Sequence, residues 1–417
     1  MTYTVTTGKN TGETQNNAIM FLRTPLPLDM GGQLCHDRWI EVTIQRQSGY
    51  GATFFRSNMI LRGQAMSEKE KFRILSIDGG GIRGIIPAQV LVSVEELLRK
   101  KTGNNDVRIA EHFDLIAGTS TGGILTCIHL CPGLDGEKPA KSKFIAEDAV
   151  NLYKEQGEKI FNPRRRKWHT TVMNWLRPKY PSTGIEEVLN DYLGDLRLNE
   201  LLKPCLITAY DVKTRKTVFF TQHNAIQKNR NPFVREVARA TSAAPTYFPP
   251  ALVGSVSDSS NEKQPLIDGA VFANNPSMCA FAEARNKFAK KVSDIVMLSL
   301  GTGYSHKDSY DNSQTWGCLR WAVPVLDIMM TGVSETVDYQ MRQLFGSVGC
   351  LGPAGCLGCE NQCQYLRVNT NLSDSQFNAS TAMDDVSGTN IQALIDLGAS
   401  VADKYSSKIA SFVNRYL

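Results

Sequence analysis

The feature that most constrains the fold is a strand, a glycine turn and a helix that occur twice between residues 72 and 133. In the first copy, the apolar run 72–77 stops at Asp78-Gly79-Gly80-Gly81-Ile82-Arg83-Gly84, and helical apolar spacing follows. In the second copy, the run Phe113 to Gly118 stops at Thr119-Ser120-Thr121 and leads into another helical run. Buried strands that alternate with helices are typical of parallel sheets. We therefore predict a parallel sheet with helices on both faces.

The rest of the chain continues this alternation. A hairpin is predicted over Cys205 to Tyr210 and Thr217 to Thr221, with a helix near Pro232 to Thr241. A short strand is predicted at Leu266-Ile267, a helix that Asn275-Pro276 opens, and a buried strand over Asp294 to Leu300. The predicted fold class is α/β, a three-layer fold with a mainly parallel central sheet and helices on both faces.

Composition excludes several classes of protein. Of 417 residues, 42% are hydrophobic and 21% charged, which is typical of globular proteins and not of disordered or fibrous chains. The net charge of +5 is too small over this length for a dedicated nucleic-acid-binding protein, so no nucleic-acid polymer is expected as a partner. The longest uncharged window, Leu115 to Leu134, is too polar to span a membrane. With sparse Cys and no visible export signal, we expect a cytoplasmic protein.

Three regions are predicted along the chain. Residues 1–70 are rich in Thr, Asn, Gly and Gln and are expected to form a poorly ordered N-terminal extension. Residues 71–303 are expected to form the main domain, which contains the motifs described below, and residues 304–417 are expected to pack on the same domain. The C-terminal part contains a Cys/Gly-rich loop, 349–363, with Cys350, Cys356, Cys359 and Cys363. Their spacings are irregular for a tetrathiolate zinc site, so unpaired thiols are favoured and no metal is predicted.

The pentapeptide Gly118-Thr119-Ser120-Thr121-Gly122 matches the pattern G-x-S-x-G between a buried strand and a helix. In that context the pattern is typical of a nucleophile elbow, a tight turn that presents the serine hydroxyl at the carboxyl end of the strand. The N-terminus of the following helix favours developing negative charge. A plain turn of small residues has the same pattern, so Ser120 is a candidate nucleophile, with Gly118 and Gly122 shaping the elbow.

Two functions compete for the glycine loop at 79–84. It satisfies G-x-G-x-x-G, but a dinucleotide site needs an acidic residue at the end of the second strand, and the nearest candidate, Asp106, precedes that strand. The alternative is an oxyanion hole, because consecutive glycines expose backbone N–H groups. With an elbow on the next strand, the oxyanion hole is favoured.

The serine needs a proton acceptor. Asp268 ends a short apolar strand and precedes Gly269. The order Ser120, Asp268, His306 also matches the triad of α/β-hydrolases, with His306 after Gly301-Thr302-Gly303. The residues alone leave a dyad and a triad open.

Three motifs in this order resemble those of patatin-like phospholipases: the glycine loop that begins at Asp78, the elbow around Ser120, and Asp268-Gly269-Ala270. Two supporting segments, 240–250 and 299–303, extend the resemblance from Phe72 to Gly303. The resemblance implies a Ser-Asp dyad with Ser120 as nucleophile and Asp268 as base, and no histidine. It also implies an oxyanion hole formed by the glycine loop, with an acid-adjacent loop beside the base. The predicted oxyanion-hole residues are Gly79, Gly80, Gly81, Arg83 and Gly84. The predicted loop next to the base consists of Gly269 and Ala270.

The activity that this resemblance implies is that of a serine lipid acyl hydrolase, acting through an acyl-enzyme on membrane phospholipids without a cofactor. Likeness to bacterial antiphage effectors further implies peripheral action on the inner membrane in antiviral defence, with a small anionic activator such as a cyclic nucleotide. Two alternatives stay open: a nucleotide-binding signalling module that uses the glycine loop, and a Ser-Asp-His esterase.

A basic segment between Pro163 and Tyr180 is a candidate membrane-contact surface. It contains no acidic residue and six basic ones, so the rest of the chain is close to neutral. Basic side chains attract anionic headgroups and tryptophans settle at membrane interfaces. A pocket for a small anion or a solvated loop has the same composition. The predicted contact residues are Arg164, Arg165, Arg166, Lys167, Trp168 and Trp175.

Overall fold

The computed structural model describes residues 17–24, 38–49, 52–58, 71–133, 141–162, 178–227, 231–254, 263–305, 321, 324–349, 364–374 and 376–417. The chain divides into two units, Met1–Lys69 and Glu70–Leu417.

The first unit contains three strands, β1 (Asn17–Thr24), β2 (Arg38–Gly49) and β3 (Ala52–Asn58). They pair antiparallel in the order β1-β2-β3. These strands lie within residues 1–70, for which the composition predicts a poorly ordered extension. In β2, Ile40, Val42 and Ile44 alternate with polar residues, which is the period of two that favours a strand.

The second unit contains the remaining strands and helices. Its strands are β4 (Phe72–Ile77), β5 (Leu115–Gly118), β6 (Cys205–Asp211), β7 (Lys216–Thr221), β8 (Ala251–Gly254), β9 (Lys263–Asp268), β10 (Ile295–Leu300) and β11 (Tyr365–Val368). Its helices are α1 (Ile85–Thr102), α2 (Thr121–Leu130), α3 (Ala146–Ile160), α4 (Thr183–Leu193), α5 (Gln222–Gln227), α6 (Val234–Thr241), α7 (Ala270–Ala273), α8 (Ser277–Asn286), α9 (Pro324–Gly349), α10 (Gly388–Lys404) and α11 (Ser406–Tyr416).

One eight-stranded sheet organises this unit. The strand order is β11-β10-β4-β5-β6-β9-β8, and β7 pairs with β6 as the predicted hairpin. The five strands β11, β10, β4, β5 and β6 are parallel, whereas β9 pairs antiparallel with both of its neighbours, β6 and β8. The prediction of a mainly parallel central sheet is confirmed.

The core lies on both faces of this sheet. In β4, Leu75 and Ile77 contribute to one hydrophobic cluster, and Phe72 and Ile74 contribute to the other. Successive side chains of a strand point to opposite faces, so both faces must be covered. Helices α8 and α9 cover the second face, and the other long helices cover the first. The result is the predicted three-layer fold. None of the described helices combines the length and apolar character needed to cross a membrane.

Candidate active site

Strand register brings the candidate nucleophile and base together. Parallel pairing aligns Gly118, at the end of β5, with Ile207 of β6. Strand β6 continues to Asp211, beyond the end of β5, and this extension pairs with β9 so that Ala209 lies opposite Asp268. Asp268 is therefore delivered from the antiparallel strand to the place where the chain turns after Gly118. The pairing of the strands in the sheet therefore brings Ser120 and Asp268 together, although they are 148 positions apart in the sequence.

The elbow has the strained backbone that its motif predicts. Ser120 has φ 55° and ψ −123°, a region that residues other than glycine rarely occupy. A side chain at Gly122 would overlap the carbonyl oxygen of Ile77, so only glycine allows α2 to start this close to β4. The strain is held by a hydrogen bond of 2.9 Å from the Ser120 N–H to the hydroxyl of Thr241. The serine is 8% exposed, at the edge of a pocket.

The Ser120 hydroxyl donates a hydrogen bond to the Asp268 carboxylate. That carboxylate is 2% exposed and also accepts a 2.8 Å bond from the Ala270 N–H, across Gly269. Burial raises the pKa of Asp268 to about 7, against the lowering by these two hydrogen bonds. A base with a pKa near neutrality can take a proton and return it at physiological pH. The pair has the contact, the burial and the basicity that a dyad requires.

Some backbone N–H groups of the glycine loop donate hydrogen bonds within the protein, and others have no acceptor among the described residues. The N–H of Gly79 donates to the carbonyl of Asn274 at 3.0 Å, and that of Ile82 donates to the carbonyl of Met383 at 2.8 Å. Among the described residues, the N–H groups of Gly80 and Gly81 have no acceptor, and both glycines line the pocket with Ser120. The Gly79 N–H, which was predicted as part of the oxyanion hole, is therefore engaged within the protein. The candidate donors are Gly80 and Gly81.

Arg83 and Gly84 support the loop instead of facing the reacting group. The Arg83 Nε donates to the Gly80 carbonyl at 3.3 Å. Because the carbonyl and N–H of one planar peptide point in opposite directions, this bond turns the Gly81 N–H away from Arg83. A side chain at Gly84 would overlap the Thr121 hydroxyl, so Gly84 lets the turn pack on the start of α2.

Residues that sequence reasoning did not assign hold this arrangement in place. The carbonyl of Ala243 accepts from the Asp268 N–H at 3.0 Å, and Thr302 donates its hydroxyl to the Gly79 carbonyl at 2.6 Å. Arg367 forms a bidentate ion pair with Asp78, at 2.8 and 2.5 Å. Thr302 and Ala243 lie within the two supporting segments of the resemblance, which was the available signal. Arg367 lies outside it, and no motif pointed to it.

An apolar pocket opens beside Ser120 and Asp268. Aliphatic and aromatic side chains form its wall, namely Ile124, Tyr153, Ile160, Phe161, Ile185, Tyr247, Phe248, Met330 and Met383. Its free volume is about 50 Å³. Since methionine side chains are flexible, Met330 and Met383 are the residues whose movement can widen it. The pocket offers an apolar chain a place next to the serine hydroxyl.

Several predicted site residues lie outside the described residues. These are the rival base His306, the basic and aromatic side chains of 163–177, and Cys350, Cys356, Cys359 and Cys363. Of the described histidines, none lines the apolar pocket, and burial lowers the pKa of His129 to about 4. Within the described part of the chain, no group of three or more His, Cys, Asp or Glu side chains is arranged to hold a metal.

With this geometry in place, comparison with known proteins identifies the family. A family model described as "Patatin-like phospholipase" matches residues 75–280. Patatin-17 of Solanum cardiophyllum is 32% identical over 355 residues, which cover 80% of this chain and 84% of that protein. The chain belongs to the patatin-like phospholipase family. The match extends past the catalytic motifs of this patatin-like chain into its C-terminal part.

Two further relatives are informative. Patatin-like protein 2 of Oryza sativa is 29% identical over 385 residues, covering 85% of this chain and 90% of that protein. A protein of Solanum tuberosum named "Probable inactive patatin-3-Kuras 1" is 31% identical over 355 residues, covering 81% and 88%. Among solved structures, VipD from Legionella pneumophila aligns over 95% of this chain and 72% of that chain, with 10% identity and a TM-score of 0.31. A relative named as inactive shows why activity must be argued from the residues of the site.

Proposed function

We propose that this patatin-like protein is a serine lipid acyl hydrolase that works through a Ser120–Asp268 dyad and cleaves the acyl esters of membrane phospholipids. The observation that carries the proposal is the strained Ser120, hydrogen-bonded to a buried carboxylate of raised pKa at the mouth of an apolar pocket. Family membership supports the lipid ester as the substrate class. Strain, a raised pKa and an apolar wall each cost stability, and together they favour catalysis over a structural role.

Acylation follows from the contacts of the dyad. Asp268 takes the hydroxyl proton while the Ser120 oxygen attacks the ester carbonyl carbon. The carbonyl electron pair moves onto oxygen, where the Gly80 and Gly81 N–H groups stabilise the oxyanion. When the carbonyl re-forms, the alcohol oxygen leaves and takes the proton from Asp268. The products are a free lyso-lipid and an acyl group on Ser120.

Deacylation reuses the same groups. Asp268 accepts a proton from water as the water oxygen attacks the acyl carbonyl carbon, and the same two N–H groups bind the second oxyanion. Ser120 leaves with the proton held by Asp268, and the fatty acid is released. A carboxyl with a pKa near 7 can serve as acceptor and donor in turn, so this cycle needs no histidine.

Contact with a membrane surface is part of the proposal. The basic segment predicted to make it lies largely outside the described residues, but helix α9 supports contact independently. Val325, Ile328 and Met329 are 39%, 41% and 43% exposed, and Met330 on the same helix lines the apolar pocket. Exposed apolar side chains beside a lipid pocket favour an interface with acyl chains.

Activation by a cyclic nucleotide and a role in antiviral defence stay predictions from the resemblance to bacterial effectors. The relatives reported above are plant patatins, and the described residues give no separate support for a nucleotide site. The competing reading, a dinucleotide site on the glycine loop, is disfavoured by position. Asp106 is exposed, pairs with Lys141 and Arg108, and precedes β5.

The test is lipid product analysis on phosphatidylcholine–phosphatidylglycerol vesicles, with and without a panel of nucleotides. Release of fatty acid by the wild type should fall by about 10⁴-fold or more in Ser120→Ala and in Asp268→Asn, because members of one catalytic unit fail together. Matched controls are Ser407→Ala and Asp403→Asn, on the exposed surface near the C-terminus. No fatty acid from the wild type, or full activity in Ser120→Ala with the fold intact, would contradict the proposal.

A further inference from the structure

A second cavity borders the same glycine loop. It measures about 300 Å³, and Asp78 and Arg83 line it, whereas Gly80 and Gly81 line the apolar pocket. Met330 lines both, so the two chambers share a wall. The wall of the second chamber is polar and charged, whereas that of the first is mostly aliphatic and aromatic. The proposed catalytic mechanism gives this polar chamber no role.

The strongest ligand signal in the polar chamber is Arg83. Its side chain is 6% exposed, and its Nε is engaged with the Gly80 carbonyl. Among the described residues, its two terminal nitrogens have no acceptor and no carboxylate lies within 4.0 Å. Asp327 acts on this guanidinium electrostatically from beyond 4.0 Å, so the planar donors of Arg83 stay open to the oxygens of a phosphate. The chamber therefore offers a preformed site for an anion.

The facing wall offers the opposite charge. Helix α9 contributes Asp327 and Glu335, which form no ion pair within the described part of the chain. Asn274 is 6% exposed, and its Nδ2 donates to the Ser334 hydroxyl at 2.9 Å. Its Oδ1 is buried and has no hydrogen-bond partner within the part of the chain that the structure describes. Two carboxylates and a free amide oxygen favour a ligand that carries an ammonium or hydroxyl donor.

We infer that the polar chamber binds the zwitterionic headgroup of the lipid, with the phosphate at Arg83 and the ammonium group towards Asp327 and Glu335. This inference rests on the proposed function, since it seats the acyl chain in the apolar pocket and the headgroup beyond the shared Met330 wall. The ester then lies at the glycine loop between the chambers. The enzyme consequently selects phosphodiester lipids that carry an ammonium group over neutral diacylglycerols.

The experiment compares dihexanoyl lipids below their micellar concentration, so that binding to a membrane surface does not contribute. The substrates are dihexanoyl phosphatidylcholine, phosphatidylethanolamine, phosphatidylglycerol and diacylglycerol, with p-nitrophenyl butyrate as a ligand without a headgroup. Wild-type kcat/KM should be at least about tenfold higher for the two zwitterionic lipids than for diacylglycerol, because diacylglycerol has no phosphate to form charge-assisted hydrogen bonds with Arg83. Equal kcat/KM for phosphatidylcholine and diacylglycerol would overturn the inference.

Variants locate the preference in the chamber. Thr331→Leu adds an apolar side chain to the chamber wall and should remove most of the preference, measured as the ratio of phosphatidylcholine to diacylglycerol turnover. Thr336→Leu, the same change on the exposed side of the same helix, should retain it. The double variant Asp327→Asn/Glu335→Gln should lower turnover of the zwitterionic lipids relative to phosphatidylglycerol. A preference unchanged in both Thr331→Leu and the double variant would place the headgroup elsewhere.

One measurement needs no variant. Phosphocholine added to the wild type should inhibit dihexanoyl phosphatidylcholine hydrolysis competitively, and inorganic phosphate should do so more weakly. Absence of inhibition by phosphocholine at concentrations far above the substrate would also overturn the inference. If p-nitrophenyl butyrate and every lipid are left intact by the wild type, the proposed function fails instead, so the two failures are distinguishable.

Discussion

The raised pKa of Asp268 makes the pH profile of hydrolysis the most discriminating property of this site. An ordinary aspartate has a pKa near 3.9 and would be ionised at every pH from 5 to 9. Burial raises the pKa of Asp268 to about 7, so the carboxylate that accepts the Ser120 proton disappears as the pH falls below neutrality. Since the base must be ionised, kcat/KM should rise with pH and reach a plateau above about 8.

The size of the effect follows from the fraction ionised. With a pKa of about 7, about half of the enzyme carries the carboxylate at pH 7, about one part in ten at pH 6, and about one in a hundred at pH 5. Hydrolysis of p-nitrophenyl butyrate should therefore be about 100-fold slower at pH 5 than on the plateau. Ser120→Ala measures the uncatalysed background at each pH.

A histidine base would give a similar midpoint, because the usual pKa of histidine is about 6.5. Temperature separates the two groups. The ionisation of a carboxyl releases little heat, so its apparent pKa barely moves between 10 and 35 °C, whereas that of an imidazole falls clearly on warming. A profile that is flat down to pH 5, or a midpoint that falls on warming as an imidazole does, would refute the assignment of Asp268 as the base.

Two further variants test the loop and the surface. Gly81 has φ +60°, and a side chain there would overlap the Met383 carbonyl, so Gly81→Ala should lower kcat at least about 100-fold by displacing an oxyanion donor. The control is Gly388→Ala, because a side chain at Gly388 would point into open space, and a wild-type kcat in Gly81→Ala would exclude Gly81 as a donor. Ile328→Ser/Met329→Ser should weaken binding to phosphatidylglycerol vesicles about 30-fold without changing soluble-ester turnover, because each side chain loses about 1 kcal/mol of burial in lipid and the two together lose about 2 kcal/mol. Its control is Ile226→Ser/Leu252→Ser, which removes two apolar side chains that are 62% and 60% exposed, and equal loss in both double variants would argue against a localised surface.

The order of strands, loops and helices could be predicted because it depends on local pattern. The apolar run before Asp78 and the elbow after Gly118 each identify a strand end, and the parallel pairing of β4 with β5 places both ends at one edge. The antiparallel pairing of β6 with β9 could not be predicted, because strand register depends on tertiary packing and not on local periodicity. That register is what brings Asp268 to Ser120.

The sequence also could not predict which residues of the glycine loop have N–H groups available as oxyanion donors. Gly79, Gly80 and Gly81 are the same residue type, and only their hydrogen bonds differ: the Gly79 N–H is engaged, whereas those of Gly80 and Gly81 have no acceptor among the described residues. Arg83 was predicted as part of the oxyanion hole, but its Nε donates to the Gly80 carbonyl and its side chain lines the second chamber. Such assignments depend on the direction of individual peptide groups, which composition and spacing do not encode.

The measurement that tests the dyad most directly is covalent labelling of the wild type with a fluorophosphonate, followed by peptide mass analysis. The account predicts one adduct, on Ser120, formed with the same pH dependence as ester hydrolysis and slowed at least about 10³-fold in Asp268→Asn. An adduct on another residue, or labelling of Ser120 at the wild-type rate in Asp268→Asn, would contradict it.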